Sequence, residues 1–162
     1  TEPQDLKKNM DSANNGVIYF SMGSRLKSKD LPDEIKVNLL KMFGSSKQTV
    51  LWKFEEVLPN LPKNVHILEW APQQAILGKI IFIFIFSGLL STTESIHFGV
   101  PIIGIPVFGD QFMNVEKSVN KGFAQKVDLS YTMPDELKKK IVEVTSNKRY
   151  VLDLYTLLHI KM

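Results

Sequence analysis

The chain has 162 residues, 44% of them hydrophobic and 23% charged, with a net charge of +3 and no cysteine. That is the length of one domain, able to bury about two thirds of its unfolded surface, and it excludes disulfides and thiolate metal sites. Lysines and acidic residues are interspersed without aromatic–basic alternation, which argues against nucleic acid, and His66, His97 and His159 lack metal-ligand spacing.

Taken in chain order, β-rich runs alternate with helical segments. Strands are expected over Val17–Ser21, Thr49–Phe54, His66–Trp70, Ile80–Phe86, Ile102–Val107 and Ala124–Val127. Val, Ile and Phe crowd these runs without alternation, as in strands buried on both faces. Helices are expected over Pro32–Phe43, Pro72–Leu77, Thr92–Phe98, Gln111–Lys121 and Pro134–Ser146. Asp30 and Thr132 stand where N-caps belong, and Gly44, Gly99 and Gly122 where left-handed C-terminal caps are wanted. The segment Leu58–Asn64 is a Pro/Asn connector. The pattern implies an α/β fold with one doubly wound, Rossmann-like parallel sheet. Such sheets bind ligands outside the carboxyl ends of their strands. The one strongly apolar run, Ile80 to Phe86, is far shorter than the roughly 20 residues of a membrane span.

Four strand ends carry candidate chemistry. The turn Ser21-Met-Gly-Ser24 offers backbone amides and the Ser24 hydroxyl to a phosphate; on this segment alone a tight turn requiring Gly23 is the better reading. Trp70 offers a flat ring to a base and Gln73 an amide to its edge, although a half-buried Trp before a Pro-initiated helix would look the same. Ser87-Gly-Leu-Leu-Ser-Thr-Thr-Glu94 runs from a loop into a helix, whose N-terminal amides suit a diphosphate. Within it Ser91-x-x-Glu94 also spells a capping box, so ligand and cap compete for the Glu94 carboxylate. Asp110-Gln111 is either an N-cap or an acceptor–donor pair for sugar hydroxyls. Asn114, one turn past Asp110, could assist it but reads as a solvent-facing helix residue; His97 reads as a packing or surface residue, and Lys138–Lys140 as a solvated face. Neither a Gly-x-Gly-x-x-Gly fingerprint nor a Walker loop occurs.

The segments Trp70-Ala-Pro-Gln-Gln74, Ser87-Gly-Leu-Leu-Ser-Thr-Thr-Glu94 and Phe108-Gly-Asp-Gln111 resemble the signature of the UDP-glycosyltransferases. Gly16-Val-Ile-Tyr-Phe-Ser-Met-Gly-Ser24 resembles the opening of that family's donor domain. The likeness is to invertebrate members and spans roughly Asp5 to Tyr150. It implies the carboxy-terminal half of a two-domain GT-B enzyme, with residues 1–150 as the donor-binding domain and 151–162 as an atypical tail. The implied roles are Trp70 on uracil, Gln73 and Glu94 on nucleoside and ribose, and Ser24, Ser87, Gly88 and Ser91 on the diphosphate. Asp110 and Gln111 would hold the sugar. The resemblance also tips Glu94 towards the ligand.

The implied activity is inverting transfer of glucose or glucuronate from UDP-sugar to a small lipophilic acceptor, without metal or further cofactor, at the endoplasmic-reticulum membrane. The family's catalytic base lies in the amino-terminal domain, so no catalytic residue is expected here, and the chain alone should be inactive. With Thr1 in place of a start methionine and neither a secretory signal nor the family's membrane anchor, a fragment is expected. One departure stands out. The family's Thr-His-Gly-Gly-type sequence, whose histidine meets the donor phosphates, is here Ile85-Phe86-Ser87-Gly88, and the stretch from Leu77 is about two residues shorter. Two other readings remain open at this stage: a non-catalytic relative that associates with other transferase chains, and an unrelated α/β nucleotide enzyme such as a reductase.

Overall fold

A computed structural model describes residues 3–23, 26–78, 83–86 and 89–153. Among these residues six strands form one sheet: β1 (Val17–Ser21), β2 (Thr49–Lys53), β3 (Val65–Leu68), β4 (Ile83–Phe86), β5 (Ile102–Gly104) and β6 (Ala124–Lys126), in the order β3-β2-β1-β4-β5-β6. Every pairing is parallel. The strand order reverses between β1 and β4, and their carboxyl ends flank the crevice where such folds take ligands.

Among the described residues six helices cover the sheet: α1 (Pro3–Asp11), α2 (Asp33–Gly44), α3 (Gln73–Leu77), α4 (Leu89–Phe98), α5 (Gln111–Asn120) and α6 (Met133–Ser146). All five residues of β1 are buried, because both faces are covered. Ile18 and Phe20 join one apolar cluster with Leu39 and Phe43 of α2 and Leu137 and Ile141 of α6. Val17 and Tyr19 point the other way, into a cluster with Leu6 of α1, Ile76 and Leu77 of α3, and Phe123. At the centre of the first cluster, Trp52 is fully buried. Its ring centroid lies 5.5 Å from Phe20, 5.6 Å from Phe43 and 5.1 Å from Phe54. Its Nε1 donates to Ser28 Oγ at 3.0 Å, and that hydroxyl donates to the Lys53 carbonyl at 2.9 Å.

Several local expectations are corrected. Helix α1 is additional; its sequence PQDLKKNMD places only Leu6 and Met10 against the core, too few to announce a helical period. Asp30 does not cap α2. It belongs to a 3-10 turn, Ser28–Asp30, and Pro32 takes the N-cap position with no side-chain bond. Thr132 is the N-cap residue of α6 but bonds no amide there; its hydroxyl lies 3.0 Å from that of Ser130. Gly99 and Gly122 are left-handed, whereas Gly44 ends α2 before a right-handed Ser45. Glycine is needed at 44 for space, since a Cβ would lie 2.6 Å from Pro62 Cγ.

Beyond α6, buried Tyr150 donates to Glu143 Oε1 at 2.7 Å, and Gln125 of β6 donates to the same oxygen at 2.8 Å. Gln125 also donates to the Tyr150 hydroxyl, so this segment is fastened to the sheet edge. Among the described residues, no helix is long and apolar enough to cross a membrane.

His66 of β3 accepts at Nδ1 from Asn9 Nδ2 at 3.2 Å, and burial holds its pKa below the usual value. The folded chain therefore keeps it neutral while the unfolded chain takes the proton first, so stability falls as pH drops below about 6.5 and levels off below the folded pKa. His66→Gln retains an acceptor for Asn9 and is expected to shrink the fall in Tm between pH 7 and pH 5; an unchanged fall would remove His66 from the account.

Candidate functional site

The carboxyl end of β3 leads through Trp70 and Pro72 into α3. Trp70 lies two residues past the strand and is 76% exposed, so its ring is open to solvent rather than half-buried. Gln73 is the first residue of α3. Its Nε2 donates to Ser91 Oγ at 3.1 Å and to Glu94 Oε2. Gln74 follows, and its Nε2 donates to Glu94 Oε1 at 3.2 Å. Three of the expected residues, Gln73, Ser91 and Glu94, are thus brought together between α3 and α4, with Gln74 as a member the sequence did not single out.

Helix α4 begins at Leu89, which places Ser91 inside its first turn and not at the N-cap. Glu94 consequently reaches across to α3, and no capping box closes on Ser91. A cleft of about 320 Å³ opens beside the carboxylate, lined by Gln74, Leu90, Thr93, Glu94, His97 and Phe98. His97 is exposed there and edge-on to the Phe98 ring at 4.9 Å, as expected of a surface residue.

A second group lies on the loop from β5 to α5. The close approach that seats α5 depends on Gly104, where a Cβ would come within 2.5 Å of Val115 Cγ2. Gln111 turns its Oε1 back to accept from the Val107 and Phe108 amides at 2.8 and 3.1 Å. That fixes the loop and makes Nε2 the end it can offer a ligand. Asp110 occupies the N-cap of α5, but its carboxylate bonds no helix amide. It is exposed instead, with Asn114 Nδ2 at 3.4 Å. Asn114 therefore supports Asp110 and is half-buried, a correction to its reading as a solvent-facing residue.

Ser24, Ser87 and Gly88 lie outside the described residues. Their flanks are placed: Gly23 has φ +91° and donates its amide to Ser21 Oγ at 3.3 Å, the tight turn expected after β1. Phe86 ends β4 in register with Ser21 on one side and Gly104 on the other. Beneath this rim, burial pushes the Tyr19 phenol up to about 12; a hydrogen bond with Ser21 opposes the shift and the charge of Glu94 adds to it. Tyr19 reads in sequence as a strand residue only, so nothing local could have revealed its place under the site. Among the described residues, no three His, Asp or Glu side chains could hold a metal ion.

Comparison with known structures gives the class first: the fold is that of the carboxy-terminal half of the GT-B glycosyltransferases. The glycotransferase of kitacinnamycin superposes with a TM-score of 0.77 at 26% identity, over 88% of this chain and 38% of that one. Os79 from O. sativa, in complex with UDP, superposes with a TM-score of 0.78 at 22% identity, over 97% and 39%. The family follows from sequence. The model described as UDP-glucoronosyl and UDP-glucosyl transferase matches residues 1–161, and the chain belongs to that family.

UDP-glucosyltransferase 2 of Dactylopius coccus is 39% identical over 150 residues, which is 91% of this chain and 29% of the relative. The human 2-hydroxyacylsphingosine 1-beta-galactosyltransferase is 34% identical over 152 residues, 91% of this chain and 28% of the relative. The chain thus spans less than a third of the length of these relatives. Family membership removes the unrelated reductase from consideration.

Proposed function

We propose that this chain is the donor-binding part of a UDP-glycosyltransferase that moves a hexosyl group, glucose or glucuronate, from a UDP-sugar to a small lipophilic hydroxyl acceptor. The observation that carries the reading is the convergence of Gln73, Ser91 and Glu94 at the first turns of α4, close in sequence to an open Trp70. In this reading Trp70 stacks on the base and Gln73 and Glu94 take the nucleoside. The α4 amides with Ser24, Ser87, Gly88 and Ser91 face the diphosphate, where a helix N-terminus favours negative charge. Asp110 and Gln111 hold the sugar hydroxyls. The structural likeness to Os79, which was crystallised with UDP, supports the same choice of ligand.

Transfer needs a base to deprotonate the acceptor while the departing diphosphate is stabilised. The second of these tasks falls to this chain; the base falls to the amino-terminal domain of the full-length family. The reading includes no metal and no further cofactor, places the enzyme at the endoplasmic-reticulum membrane, and predicts no turnover by the 162-residue chain alone. Calorimetric titration with UDP tests it. Glu94→Ala should weaken binding about tenfold or more, the loss of hydrogen bonds to a charged group. Equal affinity in wild type and variant would overturn the assignment, and no binding by wild type would leave a non-catalytic relative that associates with other transferase chains.

A further inference from the structure

We infer that Gln74 is a positioning residue: it holds the Glu94 carboxylate in the orientation that lets it accept from two neighbouring hydroxyls at once. The inference rests on the reading of Glu94 as the ribose contact.

Consecutive residues of α3 send one amide to each carboxylate oxygen, Gln73 to Oε2 and Gln74 to Oε1. An ionised carboxylate has about four acceptor sites, two per oxygen. The two amides occupy one on each, leaving one on each oxygen for a ligand, and a pair of adjacent hydroxyls demands that arrangement. The terminal torsion of a glutamate is broad and poorly fixed by itself. One amide alone anchors an edge of the carboxylate and lets the other oxygen swing; the second amide sets the plane.

The side chain of Gln74 is otherwise unexplained. It is exposed and lines the cleft with Leu90, Thr93, His97 and Phe98. Ordering a long flexible side chain there costs entropy with no core contact to offset it. Its Nε2 faces Glu94, so its effect on a ligand passes through that carboxylate.

The test is calorimetric titration of the 162-residue chain with UDP and with 2′-deoxy-UDP, which lacks one of the two hydroxyls. Wild type should prefer UDP by about tenfold, the value of one charge-assisted hydrogen bond. Gln74→Met, similar in shape but without a donor, should weaken UDP about fivefold and barely change 2′-deoxy-UDP, so the preference narrows towards unity. Gln74→Glu should narrow it further, by placing like charge against Glu94. In a Glu94→Ala background, Gln74→Met should alter neither affinity. Position 74 is exposed, so the variants should fold, and circular dichroism checks this.

If wild type discriminates and Gln74→Met keeps the preference, or weakens both nucleotides equally, the inference fails while the reading of Glu94 stands. If wild type binds UDP without discriminating, or does not bind it, the reading of Glu94 fails and takes the inference with it.

Discussion

Trp52→Ala is expected to cost about 4 kcal/mol of folding stability, within the range for deleting a large buried aromatic. The indole is fully buried among Phe20, Phe43 and Phe54, so its removal leaves a cavity walled by rings that cannot all move in. Net stability of a domain is of order 5–15 kcal/mol, so the variant would lie near the edge of folding. Trp52→Phe separates packing from the polar contact. It keeps a ring in place but removes the donor to Ser28 Oγ, and should cost about 1–2 kcal/mol. Urea unfolding followed by far-ultraviolet circular dichroism measures both, as a lower midpoint at unchanged slope. A cost below 1 kcal/mol for Trp52→Ala, in rough terms a quarter of that expected for this kind of substitution, would show that the ring cluster does not organise this face of the sheet.

Phe86→His is expected to strengthen UDP binding by about ten- to a hundredfold, the return of one charge-assisted hydrogen bond of roughly 1.5–3 kcal/mol. Position 86 is the last residue of β4, opposite Ser21 and Gly104, at the edge where the strand order reverses. The preceding stretch is about two residues shorter than the family pattern, yet β4 pairs in regular parallel register with β1 and β5. Ile85 lies opposite Phe20 and Ile103 and shares their apolar cluster. A shift of two residues preserves the faces of a strand where a shift of one would exchange them. The backbone of β4 thus reaches the carboxyl edge of the sheet in register with both neighbours. Titration of both proteins with UDP decides the matter: equal affinities would mean that the family's phosphate contact cannot be restored by side chain alone.

The strands were legible because a doubly covered parallel sheet writes itself as short, unbroken apolar runs, and all six fall on the runs marked by the sequence, although β3 starts one residue early, β5 stops at Gly104 rather than Val107, and residues 80–82 of the fourth run lie outside the described residues. Helix α1 was not legible, since two apolar residues in nine carry no period. The placement of Gly44 against Pro62 and of Gly104 against Val115 could not be read either. Both are tertiary contacts that leave no local mark beyond the glycine itself. At the site, residue types were visible and partnerships were not. Ser91-x-x-Glu94 is a local pattern with a local meaning, but α4 starts two residues before Ser91, and Glu94 turns to amides twenty and twenty-one positions away. Gln111 shows the same limit, for its carbonyl secures its own loop, a task that the sugar-binding reading of Asp110-Gln111 did not include.

The two outer strands have a bearing on how this sheet meets other chains. β3 has four residues and β6 only three, and β6 ends on Lys126, which pairs with Glu116 and Asp128 and lies over the Phe112 ring. A short rim carrying a tethered lysine makes a poor template for an incoming strand. Self-association through backbone ladders, the route to runaway sheet growth, is thereby discouraged at that end.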